Sequence, residues 1–179
     1  YNRVLLAEIL KKNIRLIDYE VIKNERNIRL IGFGRYAGIV GCYNGFRTYG
    51  LKHNLYQLKP ANECADRTEV EAELQNIRLP NNFKMVLTGF GRVGHGAREI
   101  MDLLPIKEVK PHEYLGGDFN TPVYTHLEVE NYFEKKDGTE FIRNEFFNKP
   151  ELYDRGFQKY VPETDMYVPC HYWSSRSPK

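Results

Sequence analysis

Apolar positions come first. Val4, Leu5, Leu6, Ile9 and Leu10 recur at helical spacing between charged residues, so "RVLLAEILKK" predicts an amphipathic helix. Next, "IRLIDYEVIKNERNIRLIGFG" holds two runs of Ile, Val, Leu and Tyr around the polar turn Lys23 to Asn27, which predicts a hairpin. In its second arm Arg29, Ile31 and Phe33 fall on one face, because strand side chains alternate. Gly38, Gly41 and Gly45 then recur three and four apart. Glycine costs a helix roughly 1 kcal/mol relative to alanine, so a helix over Tyr36 to Tyr49 implies close packing against its backbone; a glycine-rich loop is the competing reading. Residues 52–81 are polar, carry Pro60 and Pro80 and read as a connector with a short helix at Asp66 to Leu74.

From Phe83 the rhythm changes. "FKMVLTG" predicts a strand and "HGAREIMDLL" a helix stopped by Pro105. "IKEVKP" and "TPVYTHLEV" predict a second and third strand, and "TDMYVPCHYW" a further one. "TEFIRNEFFNKPELYDRGFQKYV" predicts helix, broken at Pro150, with Phe141, Phe146, Phe147, Tyr153 and Phe157 packed beneath the sheet. Glu128, Glu130, Glu134, Lys135, Lys136 and Asp137 read as a solvated face and turn. Strands alternating with helices predict an α/β fold with a parallel sheet.

Composition narrows the classes. Hydrophobic residues make up 41% of the 179, with 13 Tyr and 10 Phe, enough to bury a core. The formal net charge is +2 with both signs interleaved, so no basic stripe predicts nucleic-acid binding. No apolar run approaches the roughly 20 residues that span a bilayer, and "YNRVLLAEIL" is not a signal peptide. Cys42, Cys64 and Cys170 are far apart, which favours reduced thiols in a cytoplasm over a disulfide scaffold. His53, His95, His112, His126 and His171 show no metal-ligand spacing, so no metal is expected; only His171 stands where an active site would be.

The chemistry lies in Gly89-Phe90-Gly91-Arg92-Val93-Gly94, a G-x-G-x-x-G between a predicted strand and a predicted helix. In a Rossmann-type unit the first glycine permits the turn, the second lets backbone approach a pyrophosphate, and the third seats helix on strand. The helix start offers unpaired N–H groups to the phosphates, and Arg92 adds charge. An acid for the adenosine ribose is expected about 20 residues on. Glu113 is nearest, slightly late; Lys110 stands closer and suits a 2′-phosphate, so NAD and NADP both remain open.

"RLIGFGRYAGIVGCYNGFRTYG", "MVLTGFGRVGHGAREIMDLLPIKEVKPHEYL" and "TDMYVPCHYWSSRSP" together resemble the saccharopine dehydrogenases, within the alanine dehydrogenase and transhydrogenase superfamily. Two branches fit: the NAD-dependent lysine-forming enzyme, and the lysine–ketoglutarate reductase part of the bifunctional animal and plant enzyme, which generally uses NADP. "LLPIKEVKPHEYL" looks closer to the latter. The resemblance implies reversible joining of lysine and 2-oxoglutarate as saccharopine, with hydride passing between the C–N carbon and a nicotinamide. It matches Arg29 to a substrate-carboxylate arginine and Phe33 to the aromatic beside it. Gly91 and Arg92 match a cofactor-contacting pair, Glu113 the ribose acid across a small gap, and Tyr172 a cofactor contact at a strand end. The family's catalytic Lys and His are expected upstream of Tyr1, so no catalytic residue is assigned and no turnover is expected of the chain alone. The implied organisation is the end of a substrate domain with an interdomain helix over 1–51, a connector over 52–81, and an incomplete dinucleotide domain over 82–179. An alanine dehydrogenase-like enzyme and a non-catalytic nucleotide-binding module are the competing readings.

Overall fold

A computed structural model describes residues 2–172 and 176–178. The chain divides into two compact units, one ending at Phe33 and the other starting at Gly34.

In the first unit, helix α1 (Arg3–Lys11) is capped by Asn2, whose Oδ1 accepts from Leu5 N at 3.1 Å, and closes with Lys11 in its last turn. The predicted hairpin shrinks to a turn with one isolated antiparallel bridge, Lys23 to Arg29. The cause is Asn24: its Oδ1 accepts from the amides of Arg26 and Ile28, offering the backbone a local partner in place of a ladder.

The second unit begins with α2 (Gly34–His53) and α3 (Arg67–Leu74), the latter capped by Asp66. There follow β1 (Lys84–Thr88), α4 (Arg92–Met101), β2 (Lys107–Glu108), α5 (Pro111–Tyr114), β3 (Val123–Leu127) and α6 (Val129–Tyr132). β4 (Phe133–Lys135), α7 (Arg143–Asn148), β5 (Tyr153–Arg155) and β6 (Met166–Pro169) complete it. The sheet order is β2-β3-β1-β6, every pairing parallel. β1 is buried from Met85 to Thr88 and β3 along all five residues, as expected of a sheet covered on both faces. Alternation splits β1 between two cores: Met85 and Leu87 pack with Tyr43, Phe46, Ile100 and Met101, while Val86 faces Val123, Tyr114 and Tyr153.

Close packing expected at the glycine helix occurs at Gly38. A methyl there would lie 1.9 Å from the Val93 carbonyl oxygen, and one at Gly96 would lie 1.9 Å from that of Arg35, so α2 and α4 meet backbone to backbone. Arg35 clamps the same crossing, donating to both Glu99 oxygens at 2.5 and 2.7 Å, and Arg67 adds a third bond at 2.6 Å. These guanidiniums, Arg35 first, hold the Glu99 carboxyl down at about 2.

Two predicted elements differ. The second strand keeps only two residues, because Pro111 starts α5 three positions after Glu108. The long aromatic helix contracts to six residues, α7, since β5 pairs antiparallel with β4 and Pro150 opens a 3₁₀ turn. Phe146 and Tyr153 are buried in the core that includes Val86 and Leu127 of the sheet, with Phe141 and Phe157 packed against it. Phe147 is 58% exposed.

Candidate functional site

The site grows from the corner between β1 and α4. Gly89 takes φ +90°, the left-handed region that favours glycine, and a side chain there would lie 2.6 Å from the Cys170 carbonyl carbon beyond β6. Gly94 seats the helix: a methyl would fall 1.8 Å from the Gly89 oxygen. Gly91 differs from both. It is the N-cap of α4, and a methyl on it would meet nothing within 4 Å. Open space therefore stands over the start of a ten-residue helix, whose first amides have no carbonyl one turn back to bond.

That space belongs to a cavity of about 650 Å³, a size typical of ligand pockets. Gly89, Phe90, Gly91, Arg92 and Val93 line one side. Glu128, Val129, Tyr132 and Phe133 come from the segment after β3, and Arg143, Phe146 and Phe147 from α7. Cys170, His171 and Tyr172 follow β6. The cavity thus opens at the carboxyl ends of three parallel strands, where ligands of open α/β sheets sit. Aromatic walls suit a flat ring, and Arg92, Arg143 and Arg176 against Glu128 make the lining net cationic.

Two histidines stiffen the corner. His126 of β3 donates from Nε2 to the Gly89 oxygen at 2.8 Å and stacks on Phe90 with ring centroids 3.7 Å apart. Burial pushes its pKa below the usual imidazole range, so the neutral Nε2–H form is held. Its Nδ1 is buried and has no hydrogen-bond partner among the described residues. His171 Nδ1 is hydrogen-bonded to Thr88 Oγ1 at 2.7 Å, at the end of β1, and burial lowers its pKa too.

Of the residues singled out from sequence, Gly89, Gly91, Arg92, Val93 and Tyr172 line the cavity, and Gly94 lies under the turn. Tyr172 is 91% exposed, at the rim; Trp173, in the motif that follows it, lies outside the described residues. Glu113 is not in the lining. Its Oε2 accepts from the Lys110 amide at 2.9 Å, capping α5 behind the edge strand β2. Arg29 and Phe33 belong to the first unit, where both meet one 3₁₀ turn: Arg29 pairs with Glu20 at 3.4 Å, and Phe33 lies edge-on to Tyr19 at 6.1 Å.

The sequence reading missed Glu128 and Arg143. Glu128, read from sequence as part of a solvated face, is 40% exposed, and it also lines the cavity and pairs with Arg143 at 2.8 Å. One signal was present: it is the first charged residue after "VYTHL", a fully buried run of the kind that marks a central strand.

No protein-family model matches the chain. Individual relatives do. Alpha-aminoadipic semialdehyde synthase, mitochondrial, of Bos taurus is 30% identical over 200 residues, covering 99% of this chain and 22% of the relative. The mitochondrial protein of the same name from Mus musculus is 29% identical with the same coverage. Alpha-aminoadipic semialdehyde synthase of Arabidopsis thaliana is 29% identical over 213 residues, 99% of this chain and 20% of the relative. The chain therefore spans about a fifth of the length of these relatives. Over nearly all of its residues, this chain is a homologue of one segment of the alpha-aminoadipic semialdehyde synthases.

Proposed function

We propose that this chain is the nucleotide-binding segment of a nicotinamide-dependent oxidoreductase that interconverts saccharopine with L-lysine and 2-oxoglutarate. The observation that carries this reading is the open face of Gly91 over the first turn of α4, in a chain homologous to semialdehyde synthases. The bound nicotinamide supplies hydride transfer at the C–N carbon. The amides of the first turn of α4, with Arg92 beside them, hold the diphosphate. The aromatic walls seat a flat base and exclude water from it, and His171, hydrogen-bonded to Thr88, stands at the strand end as a polar group. By the resemblance, Arg29 grips a substrate carboxylate with Phe33 beside it.

No helix among the described residues is long and apolar enough to cross a membrane. Three free thiols, two of them buried, suit a reducing compartment. The Bos taurus and Mus musculus relatives carry the word mitochondrial in their names, so the compartment is read from the thiols as reducing and no more narrowly.

The test is turnover of saccharopine with NAD or NADP, followed by the absorbance of the reduced nicotinamide, using the protein in its complete reading frame. Oxidation is expected there and none from the 179 residues alone. Failure to oxidise saccharopine, or to reduce lysine plus 2-oxoglutarate, with either cofactor would overturn the reading.

A further inference from the structure

A peptide that follows a glycine turns over at little steric cost, because glycine accepts both signs of φ. The Gly89–Phe90 peptide is of this kind, with Gly89 at φ +90°. A trans peptide carries its C=O and N–H on opposite sides, so whatever holds the Gly89 oxygen also aims the Phe90 amide. His126 of β3 holds that oxygen, with Nε2 2.8 Å away. The Gly94 backbone crowds the same side, where a methyl would fall 1.8 Å from the oxygen. The Phe90 amide therefore faces away from β3 and α4, and Phe90 itself lines the cavity. Among the described residues that amide has no hydrogen-bond acceptor.

The imidazole suits this task. Its buried Nδ1 has no partner among the described residues, so a second proton would bring charge to a place without an acceptor. Burial first, then Arg98 and His95 of α4, disfavour that proton against the opposing pull of the Gly89 oxygen and Glu108 of β2. The ring stays a donor with one proton, and that proton stands on Nε2, toward Gly89. The stacked contact with Phe90 steadies the residue whose amide is aimed.

We propose that His126 is a positioning residue: by holding the Gly89 oxygen against β3, it presents the Phe90 amide to the cavity as a donor for the nucleotide's diphosphate. This rests on the nucleotide reading of the same cavity. With the peptide reversed, the Gly89 carbonyl would set its negative end toward the anion and the Phe90 amide would be lost to it. The hydrogen bond from His126 thus acts on the phosphates and leaves the rest of the ligand untouched. His126 never meets the ligand; its effect passes through one peptide.

The experiment is calorimetric titration of the full chain with ADP and with adenosine, which lacks the phosphates. It compares wild type with His126→Phe, which keeps a ring against Phe90 and loses the donor, and with His126→Gln, which keeps a donor and loses the ring. Thermal transitions check folding. ADP affinity is expected to fall at least about 5-fold in His126→Phe, the scale of one hydrogen bond, while adenosine affinity stays within about twofold. His126→Gln is expected to keep ADP affinity within about threefold of wild type. Equal ADP binding by His126→Phe and wild type overturns the proposal. So does an equal loss in His126→Gln, which assigns the effect to the ring, and so does a parallel loss for adenosine, which marks a collapsed cavity. If His126→Phe does not fold, wild type decides: its Phe90 amide proton is expected to move downfield on saturation with ADP, as an amide does on gaining an anionic acceptor, and an unmoved signal overturns the proposal. A wild type that binds no ADP, or a Gly91→Val that binds it as wild type does, overturns the nucleotide reading itself. ADP binding that Gly91→Val abolishes, with the Phe90 amide unmoved, overturns the role of His126 alone.

Discussion

Two strand-to-helix corners in the same sheet look alike in sequence and differ in place. One runs from β2 into α5 and carries Glu113; the other runs from β3 into α6 and carries Glu128. Each helix is a single turn and each acid stands close to its start. At the edge corner the strand has two exposed residues, and Glu113 turns inward to cap its own helix. At the central corner five buried residues lock the strand to β1, and Glu128 faces the cavity. Which corner borders the cavity is therefore decided by strand pairing, and strand pairing follows burial: the run apolar enough to be covered on both faces takes the inner position.

The largest effect is expected where both corners take their reference, at the seat of α4. A valine at Gly94 has no room beside the Gly89 oxygen, so Gly94→Val should cost at least about 3 kcal/mol or yield no folded protein, read by urea denaturation. Stability within about 1 kcal/mol of wild type would mean that the helix is not seated as described. Gly91→Val comes next and separates binding from folding. Its φ of −85° suits any residue and its surroundings are open, so stability should hold within about 1 kcal/mol while ADP affinity falls at least about 10-fold.

Smaller still is Glu113→Ala. Loss of its hydrogen bond to the Lys110 amide should cost about 1 kcal/mol and leave NAD affinity within about twofold. A larger loss of NAD binding would erase the distinction between the corners. The smallest effect is in pH. Burial lowers the folded-state pKa of His126 below its unfolded value of about 6.5, so the unfolded chain binds more protons as pH falls through that value. Stability from this group is complete above about 6.5 and declines on acidification toward the lowered folded value. The slope of the thermal midpoint below about pH 6.5 should flatten in His126→Asn; an unaltered slope would place the titration elsewhere.

Much of this fold is legible in the residues. The helix at Arg3–Lys11, the glycine helix and the β1–α4 corner follow from spacing alone, because local sterics set them. The hairpin was not legible, since one Asn24 side chain outcompeted the ladder. Nor was the aromatic stretch after Thr139: its apolar residues suit a helix or a strand equally, and the pairing of β5 with β4 decided against the long helix. The place of Glu128 in the cavity wall eluded sequence for a third reason. Counting along the chain assumes that the next strand lies beside the first, and a strand cut to two residues by Pro111 cannot take that place.

The face-to-face contact of Phe90 with His126 makes the glycine turn observable by nuclear magnetic resonance. The stacked phenyl ring shifts the carbon-bound protons of that imidazole by its ring current, placing a reporting signal on a buried strand. Any molecule that tilts the turn by a few degrees displaces the signal, so the protein carries its own label at the point where occupancy is in question.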